Sequence, residues 1–128
     1  MKKILIASHD AGAANLISYW AAKNNYNYSF FLKGPSVKIF KENFPKLKIK
    51  KRLSSKDDYD YIITGTSLKS NTELYAINYF KNKVKTISFI DHWINYKKRF
   101  YRNNKYIYPD EIWVTDINAL KLANKTFS

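Results

Sequence analysis

The sequence predicts an α/β fold, because short apolar runs alternate with segments whose apolar residues recur at helical spacing. Alternation of this kind produces right-handed crossovers and a mostly parallel sheet. The length of 128 residues suits one domain, and neither a linker nor an internal repeat divides the chain. We therefore expect residues 1–128 to form a single Rossmann-like, doubly wound domain, with a sheet of about five to six strands and helices on both faces.

The expected elements follow in chain order from apolar patterns and turn residues. Apolar runs predict strands at Lys3–Ser8, Tyr28–Leu32, Lys46–Leu53, Tyr59–Thr64, Val84–Ile90 and Glu111–Thr115. Lysines along the third of these mark it as an edge strand. Helical periodicity predicts helices that end at Lys23, span Val37–Asn43, run from Ser70 to near Asn82, and span Ile117–Asn124. Phe100–Tyr108 is expected to be a basic, aromatic loop.

Residues suited to helix capping precede the expected helices. Asp10, Ser36 and Asp116 stand at positions where their side chains can accept from the first backbone N–H groups of a helix. Ser70 is followed three residues later by Glu73, which is the pattern of a capping box.

A ligand site is expected at the carboxyl ends of three strands. The first strand is predicted to lie centrally, between Tyr28–Leu32 and Tyr59–Thr64, so the crevice of a doubly wound sheet falls beside it. Both histidines of the chain, His9 and His92, are then expected on this rim. The predicted binding residues are His9, Asp10, Gly12, Asn15, Gly65, Thr66, Ser67, Trp93, Asn95, Tyr96 and Arg99.

The residue types on this rim favour a site for a sugar or a nucleotide-sugar. A helix N-terminus with small residues attracts phosphate, and threonine and serine hydroxyls bind sugar hydroxyls. Trp93, Tyr96 and Tyr101 offer ring faces for stacking, and Arg99 and Arg102 can each pair with phosphate through two hydrogen bonds. Asp91 and His92 are the candidates for a general base, because each can take a proton from an acceptor hydroxyl.

Other kinds of site fit the residues less well. The two histidines and the aspartates beside them are suitable metal ligands, but no spacing such as H-E-x-x-H supports a metal site. Ser8 and Ser67 lack the G-x-S-x-G context of a hydrolase nucleophile. A response-regulator receiver has the same strand order, but Gly65 stands where its phosphate-accepting aspartate belongs. No G-x-G-x-x-G sequence follows the first strand, and neither a metal nor a cofactor is predicted.

The net charge of +13 invites an anionic partner, since 23 lysines and arginines face 10 acids. Nine of these cations and one acid lie between Lys33 and Lys56, but aromatic residues are not interleaved there as in a nucleic-acid surface. We therefore expect a solvated edge and consider nucleic acid a less favoured partner. Cysteine is absent, and no signal peptide or transmembrane run is found, so the cytoplasm is the expected compartment.

A family resemblance lies in three stretches. Tyr59–Ser67 (YDYIITGTS), Val84–His92 (VKTISFIDH) and Pro109–Asp116 (PDEIWVTD) resemble the N-terminal half of GT-B-type proteins. That group contains many bacterial glycosyltransferases and the UDP-N-acetylglucosamine 2-epimerases. The epimerases carry an aspartate where this chain has Thr66, whereas Asp91 keeps an acid at the place of their glutamate. The resemblance, which extends from residue 1 to about residue 124, therefore favours a transferase over an epimerase.

The resemblance implies the acceptor-binding half of a glycosyltransferase of bacterial surface-polysaccharide or glycolipid synthesis. Such a half binds a sugar or lipid-linked acceptor and supplies the base, and a second Rossmann-like domain holds most of the nucleotide-sugar. We expect that second half on a further domain or on a partner chain. The cationic surface is expected to assist contact with anionic lipid at the inner face of the membrane. A receiver-like, non-enzymatic binding module and a basic nucleic-acid-binding domain are the alternatives.

Overall fold

The computed structural model describes residues 1–90 and 97–114. Within them the strands are β1 (Lys3–Ser8), β2 (Asn27–Leu32), β3 (Tyr61–Thr64), β4 (Lys85–Ile90), β5 (Tyr101–Arg102), β6 (Lys105–Tyr106) and β7 (Glu111–Val114). The helices are α1 (Ala11–Lys23), α2 (Ser36–Asn43) and α3 (Thr72–Phe80), and a one-turn 3-10 helix spans Lys97–Phe100.

The main sheet has five strands in the order β2-β1-β3-β4-β7, and every neighbouring pair is parallel. This confirms the predicted α/β class and the central place of β1 between β2 and β3. The chain moves from β1 to β2 in one direction and to β3 and β4 in the other. The point where the direction changes, between β1 and β3, is where doubly wound sheets open a crevice at their carboxyl edge.

Helices cover both faces of the sheet, as the sequence predicts. Ile4 and Ile6 of β1 pack in one core with residues of α1 and α2. Leu5 and Ala7 point to the opposite face, where they pack with Phe80 and other residues of α3. Side chains of adjacent strand residues point to opposite faces, so a continuous apolar run such as that of β1 is buried on both. Each buried isoleucine or leucine contributes roughly 1.5–3 kcal/mol.

The predicted edge strand over Lys46–Leu53 is wrong. Only Ile49 bridges to the sheet, opposite Phe30 of β2, and the Lys50 N–H donates to the Phe30 carbonyl oxygen at 2.7 Å. The reason lies in where the apolar side chains go. Ile49 packs on the face that carries α1 and α2, whereas Leu53 is buried on the face of α3. The chain therefore crosses the edge of the sheet instead of running along it.

Two predicted N-caps do not cap their helices. Asp10 precedes α1, but its side chain makes no capping hydrogen bond. Ser36 lies inside the first turn of α2, and its hydroxyl is 2.7 Å from the carbonyl oxygens of both Ser8 and Lys33. The hydroxyl thus ties α2 to the end of β1. The third predicted cap, Asp116, lies outside the described residues with Thr115 and the predicted helix Ile117–Asn124.

The predicted capping box at Ser70 and Glu73 is also wrong. Helix α3 begins at Thr72 with Asn71 as its N-cap residue, which puts Glu73 one position too early for a capping box. The Glu73 carboxylate instead accepts a hydrogen bond from the backbone N–H of His9. The carboxylate therefore bonds to the distant backbone N–H of His9 and not to the backbone N–H of Ser70, as a capping box would require.

The stretch predicted as the loop Phe100–Tyr108 contains an antiparallel hairpin of β5 and β6. Its turn residues, Asn103 and Asn104, both have left-handed backbones, with φ of +52° and +61°. Two consecutive residues of this kind form the tight turns that suit hairpin twist, and asparagine tolerates them. Within the described part of the chain, no helix has the length and hydropathy to cross a membrane.

Candidate functional site

The carboxyl edge of the sheet brings two predicted groups of site residues together. His9 and Asp10 follow β1, and Gly65, Thr66 and Ser67 follow β3, its neighbour. Gly12 and Asn15 are exposed in the first turns of α1. The predicted site residues after β4 that lie outside the described ranges are Asp91, His92, Trp93, Asn95 and Tyr96.

His9 and Asp10 form a close pair at the end of β1. The His9 Nδ1 atom is 2.6 Å from Asp10 Oδ1, and the two side chains are 32% and 42% exposed. When Nδ1 carries the proton and donates it to Asp10, the lone pair of the neutral ring lies on Nε2. The Nε2 atom lies beside Gly34, where a Cβ atom would stand 2.6 Å from it, so the glycine keeps this side of the ring free of a neighbouring side chain. The arrangement orients a histidine that can accept a proton.

Glu73 lies beneath this pair, and only 1% of it is exposed. Its Oε2 atom accepts the His9 N–H at 3.0 Å, while its Oε1 atom has no hydrogen-bond partner among the described residues. Burial raises the pKa of Glu73 to about 7, although hydrogen bonds from the backbone N–H groups of Glu73 and His9 oppose the shift. The negative charge of Asp10 raises this pKa further. A carboxyl group that titrates near neutrality therefore holds the backbone at the start of the site.

Gly65 lets three elements meet at the rim. A Cβ atom on Gly65 would lie 2.5 Å from the Cβ of Ala13 in α1, 3.5 Å from Glu73 Oε2 and 3.6 Å from Ser8 Oγ. The Ser8 hydroxyl is fully buried and has no hydrogen-bond partner among the described residues. Such buried polar groups are uncommon in native proteins. The end of β3 therefore packs directly against α1, with the polar groups of Ser8 and Glu73 beside it.

Arg99 brings a buried positive charge to the same rim. Its Nη1 atom donates to Thr66 Oγ1 at 2.9 Å, and the two residues are only 6% and 2% exposed. Because a guanidinium stays protonated, the charge is permanent. Thr66 Oγ1 accepts this bond and keeps its own hydrogen to donate. The structure thus joins two predicted site residues that lie 33 positions apart in the sequence.

Arg102, which the sequence offers beside Arg99 as a partner for phosphate, bonds to the loop after β3. Its guanidinium donates to Asn71 Oδ1 at 2.9 Å and to the carbonyl oxygens of Lys98, Tyr101, Ser67 and Ser70 at 2.6–3.0 Å. These bonds fasten the hairpin and the 3-10 helix to the segment from Ser67 to Asn71. In the sequence Arg102 is one cation in a basic stretch, and no local pattern distinguishes it.

Substitution of Arg102 by lysine is expected to lower the free energy of unfolding by about 1–2 kcal/mol. An ammonium group cannot reproduce five donations in the plane of a guanidinium, so several carbonyl oxygens lose their partner. Urea denaturation measures the change. The matched control is Arg52→Lys at an exposed position, which is expected to change stability by less than about 0.5 kcal/mol. Equal effects of the two substitutions would contradict the proposed fastening role.

The lysine-rich segment, Lys46–Leu53, also borders a groove beside β2. The groove has a volume of about 420 Å³, and its lining includes Tyr28, Lys46, Lys48 and Lys50. The Tyr28 ring in this lining already contacts Phe30 and Phe44. The groove is therefore a cationic surface with little free ring area for base stacking.

Neither a metal site nor a known relative adds to this description. In residues 1–90 and 97–114, no group of three or more histidine, aspartate or glutamate side chains is arranged to hold a metal ion. Comparisons with protein-family models, with curated proteins and with solved structures found no match. The assignment of function consequently depends on the geometry of the rim.

Proposed function

We propose that this chain is a glycosyltransferase-like domain that binds the acceptor in the synthesis of bacterial surface polysaccharide or glycolipid. The observation that carries the proposal is the close pair of His9 and Asp10 at the carboxyl edge of β1. It stands beside the point where the strand order changes direction, which is the usual position of a ligand in such sheets.

The pair suits a reaction in which a hydroxyl group becomes a nucleophile. In glycosyl transfer, the acceptor oxygen bonds to the anomeric carbon while the bond from that carbon to the nucleotide breaks, and the hydroxyl proton goes to a base. The lone pair on His9 Nε2 can take this proton, and the Asp10 carboxylate stabilises the imidazolium that results. Asp91 and His92, which follow β4 in the chain, remain base candidates of the same proposal.

A cation and a helix N-terminus at the rim favour an acceptor that carries phosphate. Arg99 is buried and permanently charged beside Thr66, and the first turn of α1 contains no acidic residue that would occupy its free N–H groups. A lipid-linked sugar pyrophosphate is one acceptor with this chemistry. The nucleotide-sugar is proposed to come from a second domain or a partner chain.

Binding of N-acetylglucosamine 1-phosphate, followed by amide chemical shifts, tests the proposal. We expect the sugar phosphate to shift the amides of His9, Gly12, Gly65 and Thr66 and inorganic phosphate to shift them less, because it lacks the sugar hydroxyls. The matched variant is His9→Gln, which should weaken binding of the sugar phosphate. Shifts confined to the groove at Lys46–Lys50, or equal shifts with inorganic phosphate, would argue against a sugar site.

A receiver-like binding module is the second candidate, because the strand order β2-β1-β3-β4-β7 is also that of receivers. Gly65 stands where a receiver has its phosphate-accepting aspartate. A Cβ atom there would lie 2.5 Å from the Cβ of Ala13, so the packing also weighs against an aspartate at this position. Incubation with acetyl phosphate distinguishes the two candidates. We expect an unchanged protein mass, and a stable phosphoryl adduct would favour the receiver.

A further inference from the structure

A cationic and aromatic surface lies next to the rim, on the segment from Lys97 to Tyr108, here termed the basic aromatic hairpin. Its sequence, KKRFYRNNKYIY, contains five lysines and arginines and no acid. Tyr101, Tyr106 and Tyr108 are 39%, 47% and 39% exposed. Large aromatic residues at such exposure on a small projecting hairpin indicate an interaction surface.

The three tyrosines form one cluster of rings in contact, in which Tyr106 and Tyr108 are stacked and Tyr101 is tilted. The rings of Tyr106 and Tyr108 are nearly parallel, with centroids 5.5 Å apart and planes inclined by 8°. Tyr101 contacts Tyr106 from the neighbouring strand at a centroid distance of 4.7 Å. The turn at Asn103 and Asn104 fixes the register that brings these rings together. Because Tyr106 and Tyr108 are stacked, each covers one ring face of the other.

The charges on the hairpin are of two kinds. Arg99 is buried, and the guanidinium of Arg102 donates to carbonyl oxygens of the protein. Lys97, Lys98 and Lys105 are exposed. Ammonium groups beside a tyrosine stack therefore define the outer surface, and the complementary partner is anionic.

We infer that the basic aromatic hairpin is a docking surface for an anionic lipid bilayer. Tyrosine is well suited to the headgroup region, because its ring is apolar and its hydroxyl is polar, and lysines beside it attract lipid phosphates. Single-stranded nucleic acid is less favoured, since base stacking needs open ring faces, and Tyr106 and Tyr108 cover one another. Docking would also bring the adjoining rim, with Arg99 and Thr66, close to the membrane surface. The inference goes beyond the proposed function, because attachment to lipid does not require a sugar reaction.

Sedimentation with vesicles of phosphatidylcholine and phosphatidylglycerol in equal parts tests the lysines. The full chain is expected to bind these vesicles and not vesicles of phosphatidylcholine alone. Combined substitution of Lys97, Lys98 and Lys105 by glutamine should weaken binding on the order of 100-fold. The matched control, Lys41, Lys46 and Lys48 to glutamine, removes the same charge from exposed positions elsewhere and should weaken binding much less. Equal losses would show attraction by net charge alone and would overturn the inference.

The tyrosines are tested by Tyr101→Ser with Tyr106→Ser. We expect a loss of vesicle binding that persists in high salt, where the lysine attraction is screened. Tyr19→Ser with Tyr75→Ser is the control, since those tyrosines are 61% and 49% exposed and lie outside the hairpin. Circular dichroism checks that each variant is folded. Absence of vesicle binding would overturn the inference. So would a result in which the hairpin substitutions weaken binding of a labelled single-stranded oligonucleotide but do not weaken binding of vesicles. Neither outcome changes the result expected from the sugar-phosphate titration.

Discussion

Replacement of Glu73 by glutamine is expected to remove a large pH dependence from the stability of this protein. Burial raises the pKa of Glu73 from its ordinary value of 4.5 to about 7 in the folded state. Between these values the folded protein binds more protons than the unfolded chain. The free energy of unfolding therefore falls as the pH rises through this window, and the loss is complete above a pH of about 7.

The expected loss for the unsubstituted protein is roughly 2–3 kcal/mol between pH 5 and pH 8, as follows from the size of the pKa shift. Glutamine has a similar shape, stays neutral at every pH and can still accept the His9 N–H through its amide oxygen. The variant should therefore match the unsubstituted protein near pH 5 and exceed its stability at pH 8.

Urea denaturation across this pH range measures the effect. The difference between the two stability curves isolates the contribution of Glu73, because the remaining residues are common to both proteins. Glu42→Gln, at an exposed position in α2, is the control and should leave the pH profile unchanged. Identical pH profiles for Glu73→Gln and the unsubstituted protein would show that the Glu73 carboxyl is ionised in the folded state throughout this range.

Substitution of Gly65 by alanine is expected to destabilise the protein by roughly 1–3 kcal/mol, the usual cost of an overpacked core. The added Cβ would lie 2.5 Å from the Cβ of Ala13, so β3 and α1 must separate. Ala13→Gly removes the obstructing atom at the price of helix propensity, about 1 kcal/mol.

The double variant Gly65→Ala with Ala13→Gly should consequently be more stable than Gly65→Ala alone. Thermal and urea denaturation of the two single variants and the double variant give the coupling energy between the sites. Gly12→Ala, in the exposed first turn of α1, is the control and should stabilise the protein by about 0.5–1 kcal/mol. Simple addition of the two single costs would show that the rim has space for a side chain at Gly65.

The sheet could be predicted from sequence because its information is local. Continuous apolar runs identify β1, β3 and β4, and the alternation with helices leaves few possible strand orders. The position of the rim follows from that order. His9, Asp10, Thr66 and Arg99 were accordingly recognised as candidates, although the bond between Thr66 and Arg99 was not.

The errors concern residues whose partners are distant in sequence. Ser70 and Glu73 match a local capping pattern, but the Glu73 carboxylate accepts a hydrogen bond from the backbone N–H of His9, which is 64 residues away in the sequence. Arg102 has no local signature, because its acceptors are mainly backbone carbonyl groups brought near it by folding. The lysine-rich segment has the alternation of a strand, but the burial of Leu53 on the other face of the sheet outweighs it. A local sequence pattern cannot show whether a distant partner will form a more stable contact than the local one.

The central place of β1 affects how the chain can fold during synthesis. β1 leaves the ribosome well before β3, with which it pairs and whose last residue is Thr64. At a synthesis rate of about 5–20 residues per second, β1 has no partner on that side for several seconds. Helices α1 and α2 and strand β2 precede β3 in the chain and can cover Ile4 and Ile6, whereas Leu5 packs with residues of α3, which follows β3. Until β3 emerges, the unpaired edge of β1 and the face that carries Leu5 are therefore open to aggregation.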